Sequence, residues 1–127
     1  MSTIEVRAVL FGALSLLAGY IIWSAAITLL VSMVGISAPP GVWFLLTLLG
    51  AAGPVASGYV GARLAHSHRL LHGVLAAVAG TAIVLFILSA FSGFPNVYGV
   101  LSPVIISAFL SLAGAVLALH WPTRVAP

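Results

Sequence analysis

Four long apolar runs, separated by short polar or proline-rich breaks, organise the chain. They cover about 6–35, 42–64, 70–91 and 97–121. Each is long enough for a helix to cross a hydrocarbon core about 30 Å thick, which takes ~20 residues. None carries a charge in its middle, and none alternates polar with apolar positions. Transmembrane β-strands, which are short and alternating, are therefore excluded. At ~1.5 Å per residue the first run exceeds the core, so a tilted or protruding helix is expected there. It also continues past Ser24-Ala25-Ala26 to Val34, too far for the apolar part of a signal peptide. An uncleaved span is the expectation.

The breaks are informative. The first holds Pro39 and Pro40, and a helix cannot continue through two consecutive prolines. The second is His66-Ser67-His68-Arg69, and the third is Ser92-Gly93-Phe94-Pro95-Asn96. Connections this short join antiparallel neighbours. The predicted fold is all-α: one integral membrane domain over residues 1–127, a polytopic four-transmembrane-helix up-down-up-down bundle. Both outer turns pair glycine and proline with a following aromatic, a feature that tight turns require with or without an internal duplication.

Composition sharpens this reading. Of 127 residues, 63% are hydrophobic and 4% charged, too few charges to cover a water-facing surface. There is no cysteine, hence no disulfide, thiolate nucleophile or cysteine metal site. The net charge of +3 rests on four arginines, too sparse for a nucleic-acid footprint. With four spans, Arg7, Arg63, Arg69 and Arg124 all fall on one side and none on the other. The positive-inside rule then predicts a multi-pass protein of the cell membrane with both termini cytoplasmic. Those arginines and Trp121 are the expected interfacial anchors. Trp43, Phe44, Phe94 and Tyr98 suit the headgroup level opposite.

Small residues recur at helical spacing: Ala8, Gly12, Ser15 and Gly19; Gly53, Ser57 and Gly61; Gly73, Ala77 and Gly80; Ser107, Ser111 and Ala115. In lipid no hydrophobic force joins helices, so close packing through small residues does. Gly12, Gly19, Gly53, Ser57, Gly61, Gly73 and Gly80 are the predicted packing positions. A second ladder on the same helix, Gly50, Gly58 and Ala62, could face a partner or a second copy, although packing inside the bundle is the favoured reading of these small residues. Pro54 is expected to kink that helix by freeing the Gly50 carbonyl.

Chemistry-bearing residues are few. His68 and His72 lie one turn apart and are candidate metal ligands, against the simpler reading that the histidines and Arg69 anchor the chain at anionic headgroups. Glu5, the only acid, could complete a metal set or pair with an arginine on its side. The membrane interior holds no Asp, Glu, Lys, Arg, His, Asn or Gln, only Ser and Thr hydroxyls and Tyr20. That argues against proton-coupled antiport, intramembrane proteolysis, and phosphoryl or acyl transfer. No cofactor is expected.

Two small four-helix families do not fit: multidrug exporters carry a glutamate within helix 1, and fluoride channels use membrane asparagine and phenylalanine positions. The segment Gly58-Tyr59-Val60-Gly61-Ala62-Arg63-Leu64-Ala65, a short His/Arg loop, then Leu71-His72-Gly73 resembles uncharacterised small bacterial four-helix membrane proteins. In these a glycine-rich second helix ends in Ala-Arg or Gly-Arg and Leu-His-Gly opens the third. The resemblance covers about 16 residues and implies the fold, with Arg63 and His72 as headgroup anchors, but no activity. The expectation is a non-enzymatic membrane protein with a structural or accessory role, packing with itself or a larger membrane complex. The alternative is a small channel, carrier or lipid-handling protein with a hydroxyl-lined path near Pro54.

Overall fold

A computed structural model describes residues 4–120 except 36, 38 and 94. Four helices account for nearly all of it: α1 (Val6–Val34), α2 (Pro40–Leu64), α3 (Arg69–Ser92) and α4 (Val97–His120). All four are long and apolar enough to cross a membrane, and the chain is a multi-pass, all-α membrane bundle. The proline pair sets the start of α2: Pro39 is the cap and Pro40 the first helical residue, two positions earlier than the hydrophobic pattern predicts. Proline suits that position because its missing N–H would have no intrahelical acceptor there. Gly35 and Gly93 close α1 and α3 at φ 74° and 83°, values that side-chain-bearing residues rarely adopt. α2 continues through Pro54, and α4 through Pro103, an interior proline that the apolar pattern conceals.

The helices run up, down, up and down. The starts of α1 and α3 meet the ends of α2 and α4 at one end, which holds Arg7, Arg63, Arg69, the α2–α3 loop and His120. We call this the arginine end. α2 and α3 touch each other and both remaining helices, whereas α1 and α4 share no contact among the described residues. The cross-section is thus a flattened diamond with α2 and α3 on its short diagonal.

Burial is confined to half of the bundle's length. The buried positions are Ala8 to Leu16 of α1, Gly53 to Ala62 of α2, His72 to Val84 of α3 and Ser107 to Ala118 of α4. No described residue of 17–34, 40–52, 85–92 or 97–106 is buried. The core is built from alanine, glycine and serine, with Leu16 and Val84 its larger apolar members.

Candidate functional site

Apart from the Trp23 indole, the side chains with tertiary hydrogen-bond partners among the described residues gather at the arginine end, around Glu5. Its carboxylate accepts hydrogen bonds from the backbone N–H of His66 (2.7 Å) and of Ser67 (3.2 Å), and from the His66 ring Nδ1–H at 2.8 Å. Its backbone N–H donates to Nε2 of His72 at 2.8 Å. One residue at the mouth of α1 therefore ties down the whole α2–α3 turn. The His66 ring hydrogen bond, backed by the two loop N–H groups, holds the Glu5 carboxyl at about 2, below its ordinary 4.5. The arginine pairing open to Glu5 by side and charge is replaced by this histidine and backbone set, because the loop N–H groups lie directly over the start of α1.

His72 differs most from expectation. It is 1% exposed, so it is not a headgroup anchor. Its Nδ1 lies 3.0 Å from the His68 carbonyl, which can only accept, while Nε2 receives the Glu5 N–H. The ring is thereby fixed as the neutral Nδ1–H tautomer with both nitrogens in use. A metal needs a free lone pair, and His72 has none left. His68 stands exposed at φ 46°, ψ 49°, a left-handed conformation costly for a non-glycine residue. There its carbonyl receives both the backbone N–H and the ring N–H of His72. The two imidazoles do not converge, and among the described residues no three His, Cys, Asp or Glu side chains could hold a metal.

Below this knot, small residues bring the backbones together. A Cβ on Gly12 would collide with Ala76 and lie 2.9 Å from the Ser57 carbonyl. One on Gly19 would lie 2.8 Å from the Gly53 Cα, and one on Gly61 would be 2.9 Å from Ala76 and 3.0 Å from the His72 carbonyl. Gly80 meets Leu16 and Ala13, and Gly73 meets Gly58 and Ala115. The second ladder of α2 is covered too: Gly58 packs on Ser111, Gly114 of α4 packs on Val55, and Gly50 lies under Trp23. Neither small face of α2 is left for a second copy. Ser15 turns aside and bonds the Phe11 carbonyl at 3.0 Å.

Two hydroxyls stand apart in this interior. Ser57 Oγ and Thr81 Oγ1 are buried and make no hydrogen bond. Pro54 also deprives the Gly50 carbonyl of its intrahelical donor. Nearby, Trp23 Nε1 donates to the Leu46 carbonyl at 2.8 Å, a polar cross-link between α1 and α2. Sequence reasoning passes over Trp23, though a lone indole inside a span needs an acceptor.

The arginines are placed locally. Arg63 donates to the Tyr59 hydroxyl at 2.8 Å, Arg7 lies 5.8 Å from the Phe11 ring centre, and Arg69 reaches the Ala65 carbonyl at 3.4 Å. Arg124, Trp121 and Phe94 lie outside the described residues. No protein-family model, curated protein or solved structure matches the chain.

Proposed function

We propose that the chain is a non-enzymatic membrane protein with a structural or accessory role, acting through helix packing with itself or a larger complex. The observation that carries this reading is the commitment of the reactive groups. The single carboxylate caps a loop, the buried imidazole has both nitrogens bonded, and the interior is alanine, glycine and serine in close contact. Since both glycine ladders are used internally, partner helices would meet the opposite half, where large apolar side chains of all four helices face outward. The arginine asymmetry supports residence in the plasma membrane with both termini cytoplasmic.

The test is the mass of the assembly in a mild detergent and in native membranes after crosslinking. A defined oligomer or stoichiometric membrane partner is expected. A monomer that passes solutes across vesicles would install the second reading, a small channel or carrier. The unbonded Ser57 and Thr81 hydroxyls favour that second reading. Orientation is read from single cysteines in this cysteine-free chain: Asn96→Cys should react with an impermeant thiol reagent on intact cells and Ser67→Cys should not.

A further inference from the structure

A shallow, open groove lies at the arginine end, between the first turn of α3 and the last turn of α4. His66, His68, Arg69, Leu70, Leu71 and Leu119 line it. The lining divides by chemistry. Two imidazoles and a guanidinium supply the polar part, and three leucines, 40%, 49% and 38% exposed, supply the apolar part. The groove sits where two spans meet the membrane surface, so one portion falls at headgroup level and the other at the level of the acyl chains.

We propose that this groove binds one anionic phospholipid, its phosphate at Arg69 and His68 and an acyl chain along Leu70, Leu71 and Leu119. Charge complementarity selects the occupant. No acidic side chain lines the groove; Glu5, the single acidic side chain, is engaged by the loop N–H groups and by Nδ1 of His66, which leaves Arg69 and His68 as the groove's uncommitted cationic and imidazole groups. Arg69 uses Nε on the Ala65 carbonyl and makes no ion pair among the described residues, which leaves its two terminal amines for phosphate oxygens. A guanidinium presents such donors in a fork that matches phosphate. The start of α3, which has no side-chain cap, adds positive potential of the same sign. A free phosphate would satisfy the basic rim and leave the leucines uncovered. A zwitterionic lipid would bring its own cation back against Arg69. A second copy would set the same basic rim against itself. The inference rests on the membrane-spanning fold and not on the accessory role.

The experiment follows thermal unfolding of the full chain in mild detergent as phosphatidylglycerol, phosphatidylcholine or inorganic phosphate is added. Phosphatidylglycerol should raise the melting temperature saturably, and the other two should not. Arg69→Gln should weaken the phosphatidylglycerol response roughly fivefold, the loss expected for one basic residue at an anionic surface. Arg7→Gln, at the same end but outside the groove, should leave it unchanged. Leu71→Ser should weaken the response to long-chain but not short-chain phosphatidylglycerol, and carries the test if Arg69→Gln fails to fold. Equal losses from Arg7→Gln and Arg69→Gln would reduce the effect to diffuse surface charge and overturn the site. An equal response to phosphatidylcholine, or to phosphate alone, would overturn the choice of occupant.

Discussion

The half of the bundle at the arginine end and the half opposite are made of the same four helices but packed by different rules. In the first, Gly12, Gly58, Gly73 and Gly114 let backbones approach so closely that an added Cβ would meet a neighbouring helix. Every buried residue among those described lies in that half or at its border near mid-bundle. In the second, Phe44, Phe86, Phe91, Ile105 and Ile106 point outward and no described residue is buried. In water such a surface would drive collapse. In lipid the surroundings are as apolar as the side chains, so bulk brings no closure and only small residues or hydrogen bonds do. The polar knot around Glu5 and the tightest glycine contacts, at Gly12, Gly58 and Gly114, therefore occupy the same half: one locks the ends of the helices, the other their flanks.

The largest effect should come from adding bulk to the close-packed half. Gly114→Leu places a side chain against the Val55 carbonyl and the Tyr59 backbone nitrogen, which are main-chain atoms that cannot rotate away. A loss of about 3 kcal/mol or more is expected, at the upper end for overpacked cores. Gly61→Leu should cost somewhat less, since its nearest neighbours stand farther off, at 2.9 to 3.2 Å. Gly41→Ala, with open space around it, should be close to neutral. Denaturant-driven loss of helicity in mixed micelles measures all three. Similar midpoints for Gly114→Leu and Gly41→Ala would remove the distinction between the halves.

The knot comes next. His72→Leu strands the part-buried Glu5 N–H, while the His68 carbonyl keeps the backbone N–H of residue 72, so a loss of about 1 kcal/mol is expected, the low end for an unpaired donor. Faster hydrogen exchange at the first amides of α1 would report it. His72→Arg should be no better tolerated, because a guanidinium has no lone pair for the Glu5 N–H. Acid should release the other half of the knot. The Glu5 carboxyl is held at about 2 against an ordinary 4.5. Its contribution is therefore fully present above about pH 4.5 and is lost as the pH falls toward about 2. Protection of the His66 and Ser67 amides should fall across that window in the wild type. In Glu5→Gln it should already be low at neutral pH and change little.

What the sequence made legible follows from the same physics. Four spans can be read because an apolar run of ~20 residues needs no tertiary information to declare itself. The ends shared by Glu5, Arg63 and the His66–Arg69 turn follow from counting spans. The small ladders are visible as spacing, but spacing cannot say which neighbour each face meets. The outward role open to Gly50, Gly58 and Ala62 is instead filled by Trp23 and α4. Nor can it show that α1 and α4 stay apart, which depends on the diagonal contact of α2 with α3. His72 is the clearest case. Its position beside a loop of histidines and an arginine reads as surface. Yet it heads the four-residue series His72, Ala76, Gly80, whose other members are small and buried. A polar residue in register with a packing ladder is the signal that it points inward.

The smallest effect is expected in the opposite half, where it discriminates most between lipid and protein as the neighbour. Phe91 is 88% exposed near the end of α3, and nothing among the described residues packs over it. If lipid surrounds it, Phe91→Ala exchanges one apolar surface for another. Stability should then stay within about 0.5 kcal/mol of wild type, as for most exposed substitutions. If a second copy or a partner helix covers it, the variant should keep its monomer stability and lose association. A buried aromatic truncated at an interface costs on the order of 2 kcal/mol, or roughly thirtyfold in the dissociation constant. The measurement is the oligomer fraction against protein-to-detergent ratio for wild type, Phe91→Ala and Phe86→Ala. A shift in that curve with no change in unfolding would place a contact on the opposite half and sharpen the accessory reading. Curves unmoved by both changes would leave those aromatics to lipid and move the search for an interface to the flanks of α1 and α4.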